Sequence, residues 1–272
     1  MKYTLSKVLA VTSLLSFGAA EANGELIGLY QFNDSGNPGK DSSGRDNTVI
    51  NHGTTYTSSG YQDGAAFFNG ATYLRSAINP DPSILPQFTW GAWVKPIGTT
   101  AIQTVLSADN GGFDRDINID TRGGSLSWSA FTGSGVLGSG VSPSASGWTF
   151  LAAVYNQHTA TMTFYVNDIS VTGTTNFSSS KNLFDIGHNP DYGEYFIGSI
   201  DNVFVYNEVL TPEKIAEIRT NGFPSAVPEP SSLILTGLGL ATFRLGDLVR
   251  RRAARHGNGS NPRTREGVNS VA

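Results

Sequence analysis

The chain has no cysteine, few charges and no apolar run long enough to span a bilayer. Without cysteine there is no disulfide, no thiol catalysis and no Cys-ligated metal site, so the fold rests on buried surface alone. Its four histidines, at 52, 158, 188 and 256, lack metal-ligand spacing and have no nucleophile nearby in sequence. Charged residues make up only 15% of 272, while 32 glycines and abundant Ser, Thr and Asn favour short strands and tight turns. The composition is that of an all-β domain of roughly 200 residues with appendages.

The formal charge of −4 is unevenly distributed. Residues 23–223 carry 9 Lys/Arg against 18 Asp/Glu, and residues 224–272 carry 7 against 3. An acidic body excludes nucleic acid as its ligand, because neutralising phosphates requires a basic face.

The N-terminus reads as an export signal. Lys2 and Lys7 precede an apolar run from Val8 to Phe17, and Ala20-Glu21-Ala22 offers the small residues a signal peptidase cuts after, so residues 1–22 are expected to be removed.

The richest strand signal runs from Gly147 to Asp168. Ala160, Met162, Phe164 and Val166 alternate with Thr161, Thr163 and Tyr165, whereas Trp148 to Tyr155 is apolar on both faces. The two halves form an antiparallel hairpin with its first strand covered on both sides. Further strands are expected at Glu25–Phe32, Thr48–Asn51, Phe88–Pro96, Ser125–Phe131, Asn182–His188 and Phe196–Tyr206. Ala65–Asn69 and Thr72–Arg75 flank Asn69-Gly70 and read as a hairpin. One helix follows, with Thr211 as N-cap, Pro212 in its first turn and Asn221-Gly222 at its end.

Oxygen ligands concentrate in two places. Asp41, Asp46 and Asn47 lie on a turn-rich loop that suits either a hard cation such as calcium or an ordinary polar turn. Asp114, Asp116, Asn118 and Asp120 alternate with Arg115, Ile117 and Ile119, so one face of a strand carries all four polar groups. An EF-hand is rejected there, since Ile119 occupies the required glycine position and Ser125 the closing glutamate's. That face is either solvated or a surface contacting sugar or calcium, with Trp128 in the next strand available to stack on a sugar ring. Gly133-Ser134-Gly135-Val136-Leu137-Gly138 matches a dinucleotide fingerprint, but no helix or βαβ unit follows it.

In order, Tyr30-Gln31-Phe32-Asn33, Asp41-Ser42-Ser43-Gly44, Phe88 to Pro96, Trp148 to Tyr155, Tyr165-Val166-Asn167, Ile186-Gly187, Phe196 to Val203 and Tyr206 to Thr211 resemble a laminin-G-like domain of the concanavalin A-like jelly-roll class. One departure is Asn167-Asp168, where the family usually has Asn-Gly. The resemblance spans about residues 25–222, within an expected domain of residues 23–223. It implies a two-sheet antiparallel jelly-roll sandwich with one short C-terminal helix, and structural calcium at the rim held by Asp41, Asn47 and Asp201. The favoured role is non-catalytic carbohydrate binding or adhesion, and the ligand-facing residues expected from the strand alternation are Asp116, Asn118 and Trp128. Glucanases of the same class place paired carboxylates on one strand as E-x-D-x-x-E. No such string occurs here, so a glycan-processing hydrolase is the alternative rather than the favoured reading.

Past the domain, Val227-Pro228-Glu229-Pro230, the apolar stretch Leu233 to Phe243 and Arg250-Arg251-Arg252 resemble a PEP-CTERM sorting signal of exopolysaccharide-producing Gram-negative bacteria. The resemblance implies an exosortase as processing partner, cell-surface or extracellular localisation, and an extracellular glycan or surface protein as ligand. Arg244 and Asp247 interrupt the segment across 224–252, and a basic tail runs over 253–272. The membrane enters only through this signal.

Overall fold

The computed structural model describes residues 25–99 and 101–223. The expected export signal and the Val227–Pro230 motif lie outside these residues. In chain order the first strands are β1 (Leu26–Tyr30), β2 (Ile50–His52), β3 (Thr55–Thr57), β4 (Ala65–Asn69), β5 (Tyr73–Ser76) and β6 (Gln87–Pro96). Next come β7 (Gln103–Ser107), β8 (Asp116–Asp120), β9 (Ser127–Phe131), β10 (Val136–Gly138), β11 (Thr149–Asn156), β12 (Thr161–Val166) and β13 (Ile169–Thr174). The chain closes with β14 (Phe184–Ile186), β15 (His188–Asn189), β16 (Glu194–Tyr195), β17 (Ile197–Tyr206) and the helix α1 (Pro212–Asn221).

These strands form two antiparallel sheets packed face to face, as expected for the sandwich. The first runs β13-β12-β11-β6-β17-β4-β3, with β1 also paired to β17; the second runs β10-β9-β8-β7-β14-β5-β2. The small β15-β16 hairpin stands apart from both. Strand alternation fills the space between the sheets with Phe88, Trp90 and Val94 of β6, Leu151 and Tyr155 of β11, and Met162 and Phe164 of β12. The second sheet answers with Leu74, Ile117, Ile119, Trp128, Phe184 and Ile186.

Strands β6 and β11 are apolar on both faces because the first sheet is covered outside as well. Trp93 stacks under Tyr61 at 3.6 Å between ring centroids, Phe150 stacks on Phe204, and α1 turns Ile215 and Ile218 inward. Gly91 is required here: a side-chain carbon would meet the Leu151 carbonyl at 2.3 Å and the Phe204 ring at 2.5 Å. The helix begins as its sequence dictates, with Thr211 accepting from the Lys214 amide, and ends at Gly222 with φ 65°. Asp168 is tolerated after Asn167 because only Asn167 of that two-residue turn takes positive φ (53°).

One expectation is corrected. Gly70 does turn the chain, with φ 88°, but β4 and β5 do not pair. Strand β4 joins β3 and β17 in the first sheet and β5 joins β2 and β14 in the second, so Asn69-Gly70 begins a crossover between sheets. Turn chemistry reverses a chain without choosing its hydrogen-bonding partner.

Candidate functional site

The outer face of the second sheet brings together residues that the core has no use for. Because Ile117 and Ile119 of β8 point inward, Asp116, Asn118 and Asp120 point outward. The ladder sets Ser107 beside Asp116, Thr104 and Ser129 beside Asn118, and Ser127 beside Asp120. Trp128 pairs with Ile119 and therefore shares its inward face. The expectation of Trp128 beside the polar groups is corrected: its indole is core, fully buried, and on the opposite side of the sheet.

This outer face is not solvated. Asp116, Asn118 and Asp120 are all 0% exposed. The cover comes from the β15-β16 hairpin and from Arg122 beyond β8. Asn189 donates at 3.2 Å both to Oδ2 of Asp109 and to Oε2 of Glu194. Arg122 joins Oε1 of Glu194 at 3.2 Å to Asp120, where Nε lies 2.8 Å from Oδ2. Arg122 also lies over the rings of Phe113 and Phe131. Asp109 is saturated, its Oδ1 accepting from the amides of Gly111, Gly112 and Asp114.

Under this arch, five polar atoms have no hydrogen-bond partner: both carboxylate oxygens of Asp116, both amide atoms of Asn118 and the Thr104 hydroxyl. Leaving such groups unpaired in a dry interior costs about 1–3 kcal/mol each. Burial first, and then the carboxylates of Asp109, Glu194 and Asp120, hold the Asp116 carboxyl well above the ordinary aspartate range. The nearby Ser107 hydroxyl counters this in part, yet neither Asp116 oxygen has an aligned hydrogen-bond donor. Glu194 is also raised, by burial against the opposing pull of Arg122, and burial carries Asp114 to about 6.

Beside the arch, four rings stack along the same face. His52 lies 4.2 Å from Tyr73, Tyr73 4.8 Å from His188, and His188 4.2 Å from Tyr195. Asp185 of β14 fixes the ladder from beneath, contacting Nδ1 of His188 at 2.9 Å and accepting a bidentate pair from Arg75 at 2.7 and 2.8 Å. Burial opposes the Asp185 charge, but Arg75 and His188 outweigh it and hold its pKa down. Sequence reasoning missed Asp109, in the connection before β8, and His188, Asn189 and Glu194, which come to this face on a hairpin that pairs with neither main sheet. The one available signal was the polar run Asn189 to Glu194 after an apolar strand.

The residues expected to hold calcium do not assemble. Asp41 uses both oxygens on its own loop and β1, accepting from the amides of Leu29, Ser43 and Asn47 and from the Ser43 hydroxyl. Asn47 donates its side-chain amide to Ile27. Asp201 engages a different loop, accepting from the amides of Gln62 at 2.9 Å and Asn202 at 2.6 Å. Among the described residues no three His, Asp or Glu side chains are placed to hold a metal ion. The three residues therefore do not fit a shared calcium, and each serves its local backbone instead.

Two antiparallel sheets packed face to face, with one short closing helix, define a jelly-roll sandwich. The chain belongs to the Laminin_G_3 family of the concanavalin A-like lectin/glucanases superfamily, whose model matches residues 68–216. No curated protein sequence matches it. Among solved structures it is similar to domain 4 of AbnA, a GH43 extracellular arabinanase from Geobacillus stearothermophilus, in complex with arabinotriose. That similarity has a TM-score of 0.57 at 22% identity, covering 72% of this chain and 99% of that one. It is also similar to the binding domain of botulinum neurotoxin serotype D (TM-score 0.53, 15% identity, 72% of this chain). The binding domain of Paraclostridial Mosquitocidal Protein 1 gives a TM-score of 0.54 at 13% identity over 72% of this chain. The chain spans about half of each toxin domain, 51% and 52%. At these identities the likeness establishes the fold. No helix among the described residues is long and apolar enough to cross a membrane.

Proposed function

We propose that this protein is an exported, non-catalytic glycan-binding or adhesion protein whose ligand docks on the outer face of the second sheet. The observation that carries the reading is the set of unpartnered polar atoms on Asp116, Asn118 and Thr104 beside a four-ring stack. Sugars present hydroxyls to the first kind of surface and C–H faces to the second. The arabinotriose bound to the related arabinanase domain supports a glycan as the ligand class.

A hydrolase remains the competing reading, favoured by one observation: Asp116 and Glu194 both have raised pKa values within one acidic cluster. Against it, Glu194 is engaged by both Arg122 and Asn189.

Export through the N-terminal signal and sorting through Val227–Pro230 complete the proposal, with signal peptidase and an exosortase as processing enzymes. Arg244 and Asp247 each cost about 2.5–3.5 kcal/mol at a bilayer centre, so retention is inefficient and the domain is released. A glycan array probed with the purified protein, with and without calcium, tests the binding role. Selective glycan binding without turnover is expected, and turnover of a bound glycan overturns the non-catalytic reading.

A further inference from the structure

The buried polar cluster over β8 has an unbalanced charge as well as unpaired atoms. Four carboxylates surround it, and three are answered: Asp109 by backbone amides and Asn189, Asp120 by Arg122, and Glu194 by Arg122 and Asn189. Asp116 has only the Ser107 hydroxyl nearby and no cation or aligned donor, although it is wholly buried and faces the other three. Two ordinary resolutions exist for such a group, a permanent proton or a cation from outside.

A divalent metal ion is a poor candidate. Calcium takes 6–8 oxygen ligands with several carboxylates among them, and only one carboxylate here is unengaged. One free carboxylate matches one positive charge. The amide of Asn118 and the hydroxyl of Thr104, next to each other across the ladder, match neutral hydroxyl groups. An anionic sugar is disfavoured, since Glu194, Asp109 and Asp120 would repel its carboxylate.

Resting on the glycan-binding reading, we propose that this cluster, once uncovered, recognises a sugar bearing a free amino group. Its ammonium pairs with Asp116 while adjacent ring hydroxyls bond to Asn118 and Thr104. The tip of the β15-β16 hairpin moves to admit it. Opening the tip breaks the Asn189 bonds to Asp109 and Glu194 together with three ties nearer solvent: Lys181 to Asp191, Arg122 to Glu194, and the Tyr192 hydroxyl to the Gly111 carbonyl. The base of the hairpin is pinned by His188 on Asp185. A buried charge-assisted pair supplies what an N-acetylated sugar lacks.

The test compares a β-1,4-linked glucosamine dimer with its N-acetylated counterpart on the full chain by isothermal titration calorimetry. At least about tenfold tighter binding of the free amine is expected from one desolvated charge-assisted pair. Asp116→Asn removes the preference, while Asp168→Asn, which deletes an exposed carboxylate, leaves it intact. Thermal midpoints verify that both variants fold, and Asn118→Ala, which weakens both dimers, serves if Asp116→Asn does not. Equal affinity for the two dimers overturns the proposal, as does a preference surviving Asp116→Asn or lost in Asp168→Asn. A calcium-induced rise in melting temperature that Asp116→Asn abolishes also overturns it by naming a metal as the occupant. Neutral glycans binding without an amine preference would sink this inference and spare the glycan reading; no glycan binding at all would sink both.

Discussion

Asp201 offers the most direct measurement of what burial does in this sandwich. It lies in β17, 0% exposed, where the strand bulges against β6, and burial raises its pKa from 3.8 to about 7 despite the amides of Gln62, Asn202 and Tyr61. The sign follows from proton binding. Below about pH 4 the group is protonated in both folded and unfolded chains and costs nothing. As pH rises from 4 to 7 the unfolded chain ionises while the folded one holds its proton, so stability falls across that window and levels off above it. At 1.36 kcal/mol per tenfold, the interval corresponds to on the order of 4 kcal/mol. Asp114, raised to about 6, acts in the same direction. Urea denaturation of the wild type and of Asp201→Asn at pH 4.5, 6 and 8 measures it. Asparagine keeps one acceptor oxygen for the loop at 61–62 but cannot ionise, so its stability relative to wild type should improve by a few kcal/mol between pH 4.5 and 8. An identical pH slope in both proteins, or a wild type that gains stability from pH 4.5 to 7, refutes the reasoning. The same titration with millimolar calcium tests Asp201 as a ligand, since a bound cation would stabilise the carboxylate and flatten the wild-type slope.

Two further perturbations separate core from site. Arg115 is fully buried with no carboxylate partner, donating to the carbonyls of Pro80 and Leu85 and lying over Phe88, Tyr155 and Phe177. Arg115→Lys cannot reach both carbonyls, and a loss of about 2–3 kcal/mol by urea denaturation is expected from the orphaned acceptor and the lost planar fork. A change under 0.5 kcal/mol would show that the 79–86 loop does not depend on it. Trp128→Ala should lose about 3–5 kcal/mol as a core truncation while leaving the glycan profile of the folded fraction unchanged. A selective loss of binding at unaltered stability would return Trp128 to the ligand face.

Much of the fold was legible because its signals are local. The helix cap at Thr211 and the covered strand at Trp148–Tyr155 each depend on residues within a turn or a strand of one another. The polar alternation of Asp116, Asn118 and Asp120 was legible for the same reason.

What the sequence could not state was the side on which Trp128 would fall, since the link at 121–126 leaves the register between β8 and β9 open. Nor could it place β4 and β5 in different sheets across a turn that reads as a hairpin. The functional reading turns on the largest of these gaps. Alternation separates a strand's two faces, but a face turned away from the core becomes solvated or enclosed according to what packs over it. Here Glu194 and Asn189, some seventy residues downstream, close over Asp116 and convert an ordinary polar strand face into a buried cluster whose carboxylate has no cationic partner. Periodicity is a property of neighbours along the chain; desolvation is a property of neighbours in space, and only the packed sheets decide it.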